Sequence, residues 1–158
     1  MSEVSVRDAA GETDMKTVRT LFREYADWLG VDLCFQGFDD ELRGLPGAYQ
    51  RPQGCILLAE IATEIAGVVG IRPVEDGVAE MKRLWVRHGH RGRGLGKRLA
   101  EASVAMARER GYRSIVLDTL SDPRLDAARG IYEAMGFRQT PAYYDNPLEG
   151  VLYYRLDF

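Results

Sequence analysis

The stretch from Arg87 to Lys97 reads R-H-G-H-R-G-R-G-L-G-K. It carries glycine at 92, 94 and 96, and no acidic residue lies between Lys82 and Arg98. An apolar run, Val78 to Val86, ends just before it, and a helical pattern begins near Leu95. The first N–H groups of a helix lack internal partners and carry the positive end of its dipole. Glycines let the backbone curl and let an anion approach within hydrogen-bonding distance. The chemistry this suits is phosphate binding. Lys82, Arg83, Arg87, Arg91, Arg93, Lys97 and Arg98 are the cations expected around it, and a multiply phosphorylated ligand is the natural guest.

Two familiar phosphate loops do not fit. A P-loop needs glycine where Arg91 stands and Ser or Thr where Arg98 stands. The dinucleotide fingerprint needs a third glycine where Lys97 stands. What remains is R-G-x-G-x-G, Arg91 to Gly96. Glu80 is the other chemical candidate, a carboxylate inside an apolar strand. Strict alternation would put it on the same side as Lys82, Leu84 and Val86. Desolvation at a sheet centre would raise its pKa and suit a general base. A salt bridge to Lys82 or Arg83 is the competing role. His88 and His90 have no carboxylate or thiol beside them in sequence and read as phosphate-side or solvent residues, with no metal site expected.

The elements that must position these groups follow from periodicity. Val4 to Arg7 alternates as a short strand, and Asp14 to Leu29 carries Met15, Val18, Leu21, Phe22, Tyr25, Trp28 and Leu29 on one helical stripe ending at Gly30. A short helix is expected over Asp39 to Arg43. Cys55 to Ile61 and Ile65 to Arg72 read as a hairpin, followed by the strand Val78 to Val86. A helix from Leu95 to Arg110 stops at Gly111, and Ser114 to Asp118 is a buried strand. Pro123 opens a last helix that ends at Gly136, and strands near Phe137 to Thr140 and Val151 to Leu156 close the chain. The fold class is α/β (α+β): a mixed, mostly antiparallel sheet of about six to seven strands with helices on both faces, in the order β-α-α-β-β-β-α-β-α-β-β.

Composition sets the frame. A chain of 158 residues is expected to form one domain over 1–158, and 46% hydrophobic with 28% charged residues suits a folded core. A net charge of -3 argues against a general nucleic-acid or membrane-surface binder. The N-terminal residues lack the pattern of a signal peptide, and no apolar run reaches membrane-spanning length, so a cytoplasmic protein is expected. Cys34 and Cys55 have no neighbours at metal-ligand spacing and read as idle or buried thiols.

With these residues in view, the chain resembles the GCN5-related N-acetyltransferase (GNAT) family. Arg91, Gly94 and Gly96 match its acetyl-CoA motif; M-K-R-L-W-V precedes the loop, and I-Y-E-A-M-G-F matches its second signature. The resemblance implies acetyl-CoA as cofactor, held by Leu84, Trp85 and Val86 at the strand end and by Arg91, Gly92, Arg93, Gly94, Leu95, Gly96 and Lys97. The strand before the loop would carry a bulge and splay from its neighbour. A backbone N–H there would steady the developing oxyanion, an effect worth about 3 kcal/mol. Tyr132 stands at the family position of the general acid that protonates the leaving sulfur, and Glu80 near that of the base, with Asp118 in reserve. Leu125 replaces an Asn that contacts the CoA arm in many members. The acceptor site would draw on Tyr25, Trp28, the stretch Cys34-Phe35-Gln36-Gly37-Phe38, and Ala142 to Pro147, with Tyr143 and Asn146 prominent; Tyr25 and Trp28 equally suit a helix core. The implied activity is direct acetyl transfer to a primary amine of a small molecule or peptide in a ternary complex, and the resemblance leaves room for a homodimer. A non-catalytic acyl-CoA sensor on the same scaffold is the rival reading.

Overall fold

The computed structural model describes residues 3–33 and 36–158. The strands are β1 (Val4–Asp8), β2 (Cys55–Ile61), β3 (Glu64–Glu75), β4 (Val78–Val86), β5 (Ser114–Leu120), β6 (Arg138–Thr140) and β7 (Val151–Asp157). The helices are α1 (Gly11–Leu29), α2 (Phe38–Arg43), α3 (Leu95–Glu109) and α4 (Asp126–Ala134). Their order along the chain is the one the periodicity predicts. The strands form one sheet in the order β1-β2-β3-β4-β5-β7-β6. Only β4 and β5 pair in parallel; the other neighbours are antiparallel. A parallel pair needs a long crossover, and α3 supplies it.

The sheet has a core on each face. Leu57, Ala59, Val69, Ile71, Met81, Ile115 and Leu117 pack with Leu95, Leu99 and Val104 of α3 and Tyr132 of α4. On the other face Ile56, Leu58, Val68 and Trp85 pack with Met15, Val18, Leu21 and Phe22 of α1 and with Phe38 and Leu42 of α2. Gly67 lets α3 sit close to the sheet: a Cβ there would stand 3.0 Å from the Trp85 carbonyl and 3.1 Å from Leu99 Cδ1. Gly30 ends α1 at φ 74°, the left-handed conformation that glycine adopts without a steric penalty. Pro123 does not open the last α-helix as expected. It begins a 3-10 turn, Pro123–Leu125, and the α-helix starts at Asp126.

One irregularity shapes everything that follows. Arg83 has φ 63°, and the β3–β4 register slips between Val68 and Gly70. This is a bulge in β4. It resets the alternation, so Ala79 and Met81 before it and Leu84 and Val86 after it all face the α3 core. Glu80 and Lys82 therefore face away from Leu84 and Val86, which corrects the shared face that strict alternation gives. Beyond Glu80, whose partner is Val116, β4 no longer pairs with β5. The two strands part and leave a gap.

The start of α1 is fastened by Asp14, whose Oδ2 accepts the Ala10 amide at 2.8 Å and Arg7 Nη1 at 2.7 Å. The Arg7 bond, helped by the Ala10 amide, lowers the Asp14 carboxyl to about 2. Its contribution is thus complete above the ordinary aspartate pKa of about 3.9 and fades as pH falls towards the folded value. Asp14→Asn is expected to cost about 1 kcal/mol in urea unfolding at neutral pH, and less in acid. No helix among the described residues is long and apolar enough to cross a membrane.

Candidate active site

The glycine-rich loop sits where the sheet opens. Gly92 and Gly94 have φ 81° and 76°, and a Cβ on either would project into open space. The Arg91 amide bonds the His88 carbonyl at 3.4 Å, and the first bond of α3 runs from the Arg98 amide to the Gly94 carbonyl at 3.1 Å. Among the described residues the amides from Gly92 to Lys97 have no acceptor. Gly92, Gly94, Leu95, Gly96 and Lys97 line a cleft of about 320 Å³ with Leu84, Trp85, Val86, Leu125, Ala128 and Ile131. A row of unspent donors at a helix N-terminus, beside an apolar channel, fits a phosphorylated ligand with an apolar arm.

The wall of this cleft is held in place by stacked cations. The Arg91 guanidinium lies 5.0 Å from the Trp28 ring and 4.9 Å from the Trp85 ring, and its Nε donates to the Val86 carbonyl at 3.1 Å. Arg124 covers the Trp28 ring at 4.8 Å and donates to the Trp28 and Leu29 carbonyls at 2.6 and 3.0 Å. A cation at a helix C-terminus is favoured by the dipole. Glu24 accepts Trp85 Nε1 at 3.2 Å and Arg87 Nη2 at 2.8 Å, which ties α1 to the end of β4. The Arg87 bond keeps the Glu24 carboxyl below its usual range.

The gap between the parted strands is a small cavity of about 50 Å³, lined by Tyr25, Lys82, Leu84, Asp118, Leu125, Ala128 and Tyr132 among others. Tyr132 is 6% exposed and its hydroxyl makes no hydrogen bond among the described residues. Burial pushes its pKa well above the ordinary phenol range. Asp118 accepts from the Tyr144 hydroxyl and, at 3.3 Å, from Asn146 Nδ2, both on its Oδ2. Its Oδ1 stays open. Gln36 Nε2 donates to the Tyr144 hydroxyl at 3.2 Å, so the loop before β7 reaches across to the chain ahead of α2. Tyr143, Tyr144 and Tyr153 stack around this wall with ring centroids 5.3 to 5.7 Å apart.

Residues 17–137 match the model of the Acetyltransferase (GNAT) family. The chain belongs to the GNAT family. This acetyltransferase is acetyl-CoA-dependent, as its family is, and it transfers to nitrogen. It is 39% identical over 159 residues to an uncharacterized N-acetyltransferase of Schizosaccharomyces pombe, covering 99% of this chain and 96% of that protein. A Dictyostelium discoideum N-acetyltransferase is 28% identical over 82% of this chain and 88% of its own. Among solved structures, a GNAT acetyltransferase from Staphylococcus aureus superposes with TM-score 0.79 at 18% identity, over 98% of this chain and 99% of that one. An acetyltransferase from Bacillus anthracis in complex with acetyl coenzyme A superposes with TM-score 0.60 at 24% identity, over 71% and 66%.

The structure redistributes the cations that sequence places around the loop of this acetyltransferase. Arg83 is buried against Glu41, Arg87 is paired with Glu24, Lys82 lies beside Glu80, and Arg98 Nη1 bonds the Val4 carbonyl at 3.0 Å. Arg83, Arg87 and Arg98 are each drawn away by a partner distant in sequence, whereas Lys82 stands beside its near neighbour Glu80. Arg93 is exposed and Lys97 lines the cleft, and neither has an acidic partner among the described residues. Trp28 and Tyr25 line the cleft behind the loop as well as packing α1. Glu80 does not line the gap. It is 1% exposed, with Oε1 bonded to Arg72 Nε at 2.8 Å and Oε2 to the Tyr143 hydroxyl at 2.5 Å. Of the acceptor stretch, Cys34 and Phe35 lie outside the described residues. Arg124 pairs with Asp122 two positions away, but its partners at the end of α1 are 95 and 96 positions away and have no signal in the sequence.

Gly94→Ala is expected to weaken acetyl-CoA binding about tenfold by calorimetry, because alanine at a left-handed φ costs about 1–2 kcal/mol. Its methyl would also project into the open space before the loop.

Proposed function

We propose that this acetyltransferase passes the acetyl group directly to a primary amine of a small molecule or peptide, with both substrates bound together. The observation that supports this best is the gap between β4 and β5. A cleft of unspent amides opens on one side of it, and an acidic, tyrosine-rich wall on the other; Tyr132, Asp118 and Leu84 line the gap itself.

The amides of Gly92 to Lys97 would hold the diphosphate of acetyl-CoA, with Leu84, Trp85 and Val86 along its arm and Arg93 and Lys97 near its phosphates. When bound, acetyl-CoA supplies an activated thioester. Leu125, on the same wall, offers no side-chain hydrogen bond where many members have Asn, so holding the arm falls to backbone and apolar contact.

Proton traffic is assigned by geometry. An alkyl amine has a pKa of about 10.4 and must lose a proton before it attacks. Asp118, which lines the gap and whose Oδ1 accepts no hydrogen bond among the described residues, would take it, directly or through water. Glu80, with both oxygens engaged, anchors Arg72 and Tyr143 at the far side of this wall and shapes the pocket. Tyr132 keeps its proton at neutral pH and holds it at the hydroxyl for the departing thiolate. Cys55 is buried and its thiol is pushed up to about 11 by burial, which makes it a poor nucleophile and favours the direct route.

The test is a panel of amines with acetyl-CoA, read by thiol release, with both substrate concentrations varied. Intersecting reciprocal plots are expected. Parallel plots, or a stable acetyl-enzyme, would overturn direct transfer.

A further inference from the structure

Lys82 has no place in the chemistry described so far. Its side chain is 3% exposed, yet its Nζ makes no hydrogen bond among the described residues. Its nearest carboxylate is Glu80 Oε1 at 3.9 Å, beyond bonding distance and already held by Arg72. Tyr144 lies beneath it, 6.0 Å from ring centroid to Nζ. An ammonium has three donors, and leaving them unmet inside a protein is costly. Lys82 lines the same gap as Asp118 and Tyr132.

The wall opposite has the complementary deficit. Asp118 spends only Oδ2, on Tyr144 and Asn146. Gln36, which donates to the Tyr144 hydroxyl, has its Oε1 buried without a partner among the described residues. The other charges nearby are already satisfied: Arg83 by Glu41, and Glu80 by Arg72 and Tyr143. An unmet cationic donor, Lys82, thus stands in one pocket with Asp118, whose Oδ1 accepts no hydrogen bond among the described residues. A ligand that completes both carries an anion and an amine a few bonds apart.

We propose that the acceptor is a free amino acid or close analogue, its carboxylate docked on Lys82 and its amine presented to Asp118. This rests on the direct-transfer reading above and names its substrate class. A protein lysine side chain fits poorly, because it would bring no carboxylate to a cation this deeply buried. Burial lowers the Lys82 pKa, with Arg83 and Arg72 adding to it and Glu80 and Asp118 opposing. A docked carboxylate favours the charged form and so reinforces its own binding.

The test uses matched triples with acetyl-CoA: phenylalanine, phenylalaninamide and phenethylamine; leucine, leucinamide and isopentylamine; lysine, lysinamide and cadaverine. An amide's amine is less basic than the acid's, so an enzyme blind to the carboxylate would favour the amide. We expect the best acid to exceed its amide and its decarboxylated amine in kcat/KM by about 10- to 100-fold, carried in KM. Lys82→Met should collapse that ratio towards one, and Lys82→Arg should restore part of it. Amides or simple amines that match or outrun the acids would overturn this proposal and leave direct transfer standing. An equal loss on acid and amine in Lys82→Met would overturn it as well. Thiol release from no member, with acetyl-CoA still bound, would overturn this proposal too, while direct transfer would still stand or fall by the reciprocal plots on the wider amine panel.

Discussion

Replacing Tyr132 by phenylalanine is expected to lower kcat by about 100-fold or more while acetyl-CoA affinity stays within a factor of two or so. The substitution removes one oxygen. The ring keeps its neighbours, Phe137 and Tyr154, at centroid distances of 5.8 and 6.3 Å. No hydrogen bond among the described residues is lost, so stability should hold, and the loop amides that would grip the diphosphate are untouched. What is lost is a proton held at the gap. Steady-state thiol release and calorimetric titration with acetyl-CoA separate the two effects. A fall of less than threefold would mean that water protonates the sulfur. A parallel loss of acetyl-CoA affinity would mean that Tyr132 only packs the cleft. The pH profile adds a check. Because burial raises this phenol, the acid remains protonated across the alkaline range, so wild-type kcat should show no decline from this group below about pH 10.

The parts that sequence disclosed are those with local causes. Helical stripes such as Met15, Val18, Leu21 and Phe22 depend on spacing within one segment, and the structure places them in one core. The loop was legible because its glycines, the strand end before it and the helix start after it are contiguous. The charges were not. Arg83, Arg87 and Arg98 lie beside the loop in sequence, but their partners lie elsewhere: Glu41 is 42 residues from Arg83, Glu24 is 63 from Arg87, and Val4 is 94 from Arg98. A linear reading assigns them to phosphate by default. The face of Glu80 was misread for a related reason. Alternation is a counting rule, and one residue at positive φ, Arg83, shifts the count for everything after it. A signal was present in hindsight: an arginine in an apolar strand must find a buried acid, and Glu41 on the short amphipathic helix was available.

That same bulge gives the largest expected change in stability. Glu41 receives Arg83 Nε at 3.1 Å and Nη2 at 3.0 Å, and the Tyr49 hydroxyl donates to it at 3.0 Å. The Arg83 side chain is 4% exposed and lies 5.1 Å from the Phe38 ring. Its backbone sits at an uncomfortable φ for a residue with a side chain, so the ion pair holds in place a conformation the chain does not favour locally. Glu41→Ala leaves a buried guanidinium unpaired and is expected to cost about 3–5 kcal/mol in urea unfolding. Replacing both partners, Glu41→Leu with Arg83→Met, should recover most of that loss, because the penalty lies in the solitary charge rather than in the absence of the pair. The pH dependence has a fixed sign. Burial alone would raise the Glu41 carboxyl, but the Arg83 bonds and charge overcome it and leave the carboxyl lowered. The stabilisation is therefore whole above the unfolded carboxylate range and disappears as pH falls through the lowered value. Turnover should suffer more than stability in the double variant. The bulge is what parts β4 from β5 and turns Leu84 towards the gap, and an uncharged pair has no reason to keep Arg83's backbone left-handed. A double variant that regains stability but not kcat would tie the splayed strand to catalysis, whereas full recovery of both would show that the backbone alone sustains the bulge.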